Sequence, residues 1–220
     1  MEEMIIRKFK PEDRDSVRDI AWETAFMGES GEAFFSGKEI LADFLTLYFT
    51  DYEPGSCFVA VSENRVQGYL LGSIDCRTLG LTFKDKILFG LLIKFIFSGG
   101  IFRRKNLKMI FAFFLSFLKG EFNMKEVNKD YPATVHINLR KNFRGKGAGA
   151  QLISAFEEYL KGKRVKGVYL ATMSSAAGDF FRKQGFSLIN QYRRSYFCHV
   201  SGQDITVYIY GKKQKTAIFD

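Results

Sequence analysis

The feature that most constrains this chain is the run Arg144-Gly145-Lys146-Gly147-Ala148-Gly149, placed between a strand-like and a helix-like segment. Upstream, Val135, Ile137 and Leu139 alternate with His136 and Asn138, the period of a strand with two different faces. Downstream, Leu152, Ile153, Phe156 and Leu160 share one side of a helix and Glu157, Glu158 and Lys161 the other, with Gly162 placed to end it. Three glycines in five residues leave the backbone bare and able to turn tightly. Successive amides at a helix start, with Arg144 and Lys146 beside them, form a cradle for an anion such as a diphosphate. No Gly-Lys-Ser/Thr follows, so the run is not a P-loop. No acid ends the next strand, Gly167–Thr172, to hold a ribose as a dinucleotide-binding unit would. By itself the turn remains open between an anion site and a plain tight connection.

The rest of the chain supplies an α/β frame of one domain, 1–220. Met4–Phe9 reads as an opening strand. Pro11 suits a first helical turn, followed by Val17, Ile20, Ala21 and Ala25 at helical spacing. A second helix carries Ile40, Leu41, Phe44, Leu45 and Tyr48 and ends before Pro54-Gly55. A hairpin follows: Cys57–Val61, a turn through Glu63-Asn64-Arg65, and Val66–Ile74. After the glycine turn come a strand at Gly167–Thr172, a helix at Ala176–Gln184, and strands at Phe186–Phe197 and Ile205–Tyr210.

Composition matters mainly through where the charge sits. The net charge is +9, but nine Lys/Arg against the single acid Asp85 lie between Arg77 and Lys119, leaving the remainder near neutral. Except for Arg77, these charges fall in an insertion of about 79–128 in which Ile87–Phe97 and Met109–Leu118 are almost wholly apolar. Two hydrophobic helices joined by a basic linker at Arg103-Arg104-Lys105 are expected, each shorter than the roughly 20 apolar residues of a membrane span. Nucleic-acid binding is disfavoured, because the positive charge is interleaved with aliphatic bulk. Three widely spaced cysteines (Cys57, Cys76, Cys198) show no metal-type pairing and argue against a disulfide scaffold. MEEMIIRKFK lacks the apolar stretch of a secretory leader, so a cytoplasmic location is expected.

The segment Leu139–Gly149 resembles motif A of the GNAT N-acetyltransferase superfamily, Arg/Gln-x-x-Gly-x-Gly/Ala. The segment Phe180-Phe181-Arg182-Lys183-Gln184-Gly185-Phe186 resembles that family's second signature, an aromatic helix ending in Gly-Phe. The order of elements matches as well, everywhere except the insertion. The resemblance implies a mixed, mostly antiparallel twisted sheet flanked by helices, with acetyl-CoA as cofactor. It places the pyrophosphate on Arg144, Gly145, Lys146, Gly147, Ala148 and Gly149. The backbone of Ile137 and Leu139 would hold the pantetheine arm, with Ser174 and Phe181 at corresponding cofactor positions. The implied activity is acetyl transfer to a primary amine, small-molecule or peptide, by direct attack on the thioester.

Two departures from the family pattern leave the chemistry open. Where members often carry Asn and Tyr, this chain has Ser174 (or Ser175) and Phe181, and Phe181 has no proton to give a departing thiolate. Tyr192 or Tyr196 from the following strand, water, or a domain that binds without efficient turnover are the competing answers. For the base, His136 suits proton abstraction near neutrality, against the plainer reading of a histidine bonded within a sheet. Asn138 would orient a substrate or bond locally, Asp75 is a second candidate base, and His199 falls in a surface turn. Ser174 and Ser175 are also natural caps for the helix beginning at Ala176. For the insertion, a lid over the acceptor site, an interfacial membrane hairpin through 79–119 and a homodimer contact all stand.

Overall fold

Two left-handed residues, Glu63 and Asn64, close the hairpin of β2 (Phe58–Ser62) and β3 (Arg65–Ser73), so Arg65 opens the second strand instead of ending the turn. Positive φ at both turn positions matches the twist of the flanking strands. β1 (Ile5–Lys8) adds to the outer edge of this hairpin and β4 (Ala133–Leu139) to the inner edge, both antiparallel. The computed structural model describes residues 4–123 and 126–214; Met124 and Lys125, within the expected insertion, lie outside them. The described residues form a seven-stranded sheet in the order β1-β2-β3-β4-β5-β7-β6, with β5 (Gly167–Thr172), β6 (Ser187–Arg194) and β7 (Ile205–Lys213). Only β4 and β5 run parallel.

Helices cover both faces because each carries one apolar side. α1 (Arg14–Glu23) sets Val17, Ile20 and Ala21 against Val59, Tyr69 and Leu71, and α2 (Lys38–Leu47) packs beside it. On the opposite face α6 (Ala148–Gly162) buries Leu152, Ile153, Phe156 and Leu160 against Leu70, Val168 and Leu170. The approach is close enough that a Cβ on Gly72 would stand 2.2 Å from the Phe156 ring, so β3 carries glycine under α6. α7 (Ser175–Lys183) packs on the same core through Phe181, with Phe186 and Tyr210.

The insertion is more helical than its sequence suggests. α3 (Cys76–Thr82) runs through a π-helical turn, Phe83–Ile87, into α4 (Leu88–Phe97), and α5 spans Arg104–Leu118. The basic run is therefore no linker: Arg104 and Lys105 form the first turn of α5, and only Arg103 precedes it. Asp75 caps α3, accepting from the Arg77 amide at 2.9 Å and the Thr78 hydroxyl at 2.7 Å. The Thr78 bond holds its carboxyl below the usual range. His199 sits in a helical turn, α8 (Cys198–Ser201), and β6 stops at Arg194, leaving Tyr196 beyond the strand.

Candidate active site

β4 and β5 pair only at Ala133–Val168 and Thr134–Tyr169. Beyond Thr134 the two parallel strands part, while β4 stays bonded to β3 as far as Leu139. A cleft of about 910 Å³ opens in the gap, lined on one side by Val135 to Leu139 and on the other by Leu170 to Met173. A strand with one edge bonded and the other released presents backbone amides and carbonyls to whatever enters.

At one end of the cleft lies the glycine turn. Gly145 (φ +77°) and Gly147 (φ +87°) are both left-handed, and α6 starts immediately after at Ala148. A Cβ on either glycine would meet nothing within 4 Å, so the bareness is not demanded by packing within the chain. Gly145, Gly147 and Gly149 line the cleft, while Ala148 is buried behind them. Gly145 and Gly147 are exposed and Gly149 is buried, and the bare backbone at this helix N-terminus has the character of an anion site such as a diphosphate needs. The neighbouring cations are differently occupied. Arg140 pairs with Glu23 and Lys141 with Glu29. Arg144 donates to the carbonyls of Leu139 (3.1 Å) and Gly28 (2.7 Å), tying the turn to the loop after α1. Lys146 has only the Phe143 ring, 4.7 Å away, among the described residues.

Deeper along β4, three polar side chains form one network. The Asn138 amide donates to Tyr69 Oη at 3.0 Å and to His136 Nε2 at 3.0 Å. His136 Nδ1 lies 3.5 Å from the same phenol. With Nε2 accepting, the imidazole is neutral and carries its proton on Nδ1. Burial pushes the His136 pKa down to about 4, in keeping with that state. Tyr69 is fully buried, which raises its pKa. Tyr69 escaped the sequence reading because only the β3–β4 register sets it opposite Asn138. Thr24, Met27 and Gly28, which line the cleft from the loop after α1, carried no local signal either.

The aromatic candidates divide. Tyr196 lines the cleft, stacked on Phe113 of α5 at 4.8 Å, and burial raises its pKa. Tyr192 sits on the edge strand β6, opposite Val207 and under the Arg194 guanidinium, outside the cleft. Phe181 lines the cleft and is also packed into the core. Ser174 caps α7, accepting from the Ala177 amide at 3.2 Å, and borders the cleft as well.

Residues 115–186 match the family model described as the acetyltransferase (GNAT) family. The match takes in about a third of the chain and holds both the glycine turn and the Phe180–Phe186 helix. The fold extends that likeness over the whole chain. The crystal structure of SsHAT aligns with a TM-score of 0.72 at 22% identity, covering 97% of this chain and 99% of that one. A polyamine N-acetyltransferase from Drosophila melanogaster aligns with a TM-score of 0.62 at 14% identity, covering 96% and 100%. A phosphinothricin acetyltransferase from Sinorhizobium meliloti, in complex with AcCoA, aligns at 0.57 and 16% identity, covering 98% and 90%. No curated protein matches the chain in sequence. Within this GNAT fold the described residues of the insertion line none of the cleft and back onto it from behind, with Phe113 and Phe122 stacked on Tyr196.

Proposed function

We propose that this GNAT-fold protein transfers an acetyl group from acetyl-CoA to a primary amine by direct attack of the amine on the thioester. The observation that carries the reading is the gap between β4 and β5, running from the bare Gly145–Gly149 turn to the His136–Asn138–Tyr69 network. Gly145, Gly147, Gly149 and the α6 start would hold the pyrophosphate, with Lys146 as the free cation. The released edge of β4 at Ile137 and Leu139 would hold the pantetheine arm, flanked by Ser174 and Phe181. Bound there, acetyl-CoA supplies an activated acetyl thioester.

The chain's own groups have separable tasks. The Tyr196 phenol lines the cleft and, like any tyrosine, is protonated at neutral pH, so it has a proton to give a departing thiolate. His136, with a pKa of about 4, is a poor base toward an amine whose conjugate acid lies near 10. It serves instead with Asn138 to orient the acceptor, and the amine loses its proton to water. Among the described residues the cleft lining holds no Asp or Glu, so a polycation finds no counter-charge there. The acceptor is therefore an amine on a neutral or apolar body. The three free cysteines, one of them exposed, suit a reducing cytoplasm.

A second reading has one observation in its favour. Phe181 is locked in the core without a proton to donate, which suits an acetyl-CoA-binding module with little turnover. Calorimetric titration with acetyl-CoA and amine-dependent thiol release separate the two. Binding with thiol release that rises for an uncharged-body amine supports the enzyme. Binding with no response to any amine in a broad panel supports the module, and absence of binding removes both.

A further inference from the structure

We propose that the outer face of α4 and α5 docks on a lipid bilayer carrying anionic headgroups. Both helices are amphipathic in an unusual sense, with a second apolar stripe pointing away from the protein. Leu91 of α4 and Ile87 just before it are buried against the α2 region, while Phe89, Leu92, Ile93 and Ile96 face outward. On α5, Asn106, Met109 and Ser116 are buried, while Leu107, Ile110, Phe111 and Phe114 face outward. Each outward set has helical i, i+3, i+4, i+7 spacing, so each is a continuous stripe. Phe97 and Phe102, 87% and 81% exposed, stand at the turn between the helices. Exposed apolar area of this extent marks an interaction surface in a water-exposed protein.

The stripes are not waiting to fold inward, because the inner faces are already fixed. The Asn106 side chain accepts from the Ser36 amide at 2.7 Å and donates to the carbonyls of Ser36 and Gly100, both at 2.9 Å. Past the end of α5, Glu121 accepts from the Ser195 amide and hydroxyl at 2.7 Å each. Nor is either helix long and apolar enough to cross a membrane.

Charge decides the occupant. Among the described residues, Arg77, Lys84, Arg103, Arg104 and Lys108 have no carboxylate partner, whereas Lys94 is bound to Asp43. Two copies of this face, related by a two-fold axis, would set basic residues against basic residues. Anionic headgroups supply the missing charge, and acyl chains receive the phenylalanines and leucines between them. Lys/Arg beside Phe/Leu on a helix lying in the interface plane is the pattern of surface-bound helices.

The test uses the full chain and extruded vesicles of phosphatidylcholine alone or mixed with phosphatidylglycerol, read by co-sedimentation. The wild type is expected to bind the mixed vesicles, less so as salt rises, and to ignore phosphatidylcholine. Arg103→Gln/Arg104→Gln/Lys108→Gln should weaken binding by roughly a hundredfold. Phe89→Ser/Phe97→Ser/Phe111→Ser/Phe114→Ser should abolish it while circular dichroism and acetyl-CoA affinity stay at wild-type values. The proposal is overturned if the wild type does not bind mixed vesicles at low salt, or if the serine variant binds as well as the wild type. It is also overturned if sedimentation velocity shows a dimer that the serine variant dissolves, without vesicle binding.

Discussion

The Asn138 side-chain amide donates to the phenol oxygen of Tyr69 at 3.0 Å, joining residues 69 positions apart that face each other across β3 and β4. The same amide reaches His136, so one side chain holds the polar floor of the cleft together. Asn138→Ala should leave the buried Tyr69 hydroxyl without its donor and cost about 1–3 kcal/mol. Adding Tyr69→Phe should recover part of that loss, because the orphaned phenol is then removed and only His136 Nε2 is left without its donor. Urea unfolding of the two variants measures both, and an unchanged midpoint in Asn138→Ala removes the network from the stability argument.

His136 makes stability depend on pH in a defined direction. Its folded pKa of about 4 lies below the ordinary 6.5, so the unfolded chain binds a proton more readily between those values. The contribution is fully present above pH 6.5 and is lost as pH falls toward 4. Between those limits its slope approaches ~1.4 kcal/mol per pH unit. His136→Gln should flatten the profile of unfolding free energy over this window. A slope that survives the substitution assigns the effect to other groups.

Gly147 offers a graded test of the anion cradle. Gly147→Glu should eliminate detectable acetyl-CoA binding by setting a carboxylate beside the phosphates. Gly147→Asn, whose neutral side chain tolerates the left-handed backbone, should bind measurably while folding at similar stability. Calorimetry on folded protein compares them. Equal affinity for the glutamate variant and the wild type would sink the assignment of this turn.

Tyr196 and Tyr192 separate on position. Tyr196→Phe should lower kcat by about a hundredfold with little change in the acetyl-CoA KM, whereas Tyr192→Phe should leave both near wild type. A kcat preserved in both variants points to water as the proton source.

The insertion shows where sequence periodicity succeeds and where it stops. The apolar runs Ile87–Phe97 and Met109–Leu118 predicted helices, and both stretches are helical. Their boundaries moved because capping is a side-chain event: Asp75 starts α3 well before the apolar run, and the Arg103–Lys105 charges sit at the start of α5. Apolar residues in a run do not report which of them find partners. Met109 is buried and Phe111 is exposed, although both belong to the same run.

Backbone freedom and apolar periodicity are local properties, so the strand, the tight glycine turn and the helix around Arg144–Gly149 were legible in the sequence alone, while the left-handed φ of Gly145 and Gly147 came with the structure. The sequence also marked the second signature at Phe180–Phe186. Only the tertiary structure decided that β4 parts from β5 after Thr134, that Arg144 is held by carbonyls, and that Tyr196 rather than Tyr192 lines the cleft. It likewise turned the stripes of α4 and α5 outward. Each of these depends on strand register and on which faces are already occupied, interactions between residues far apart in sequence.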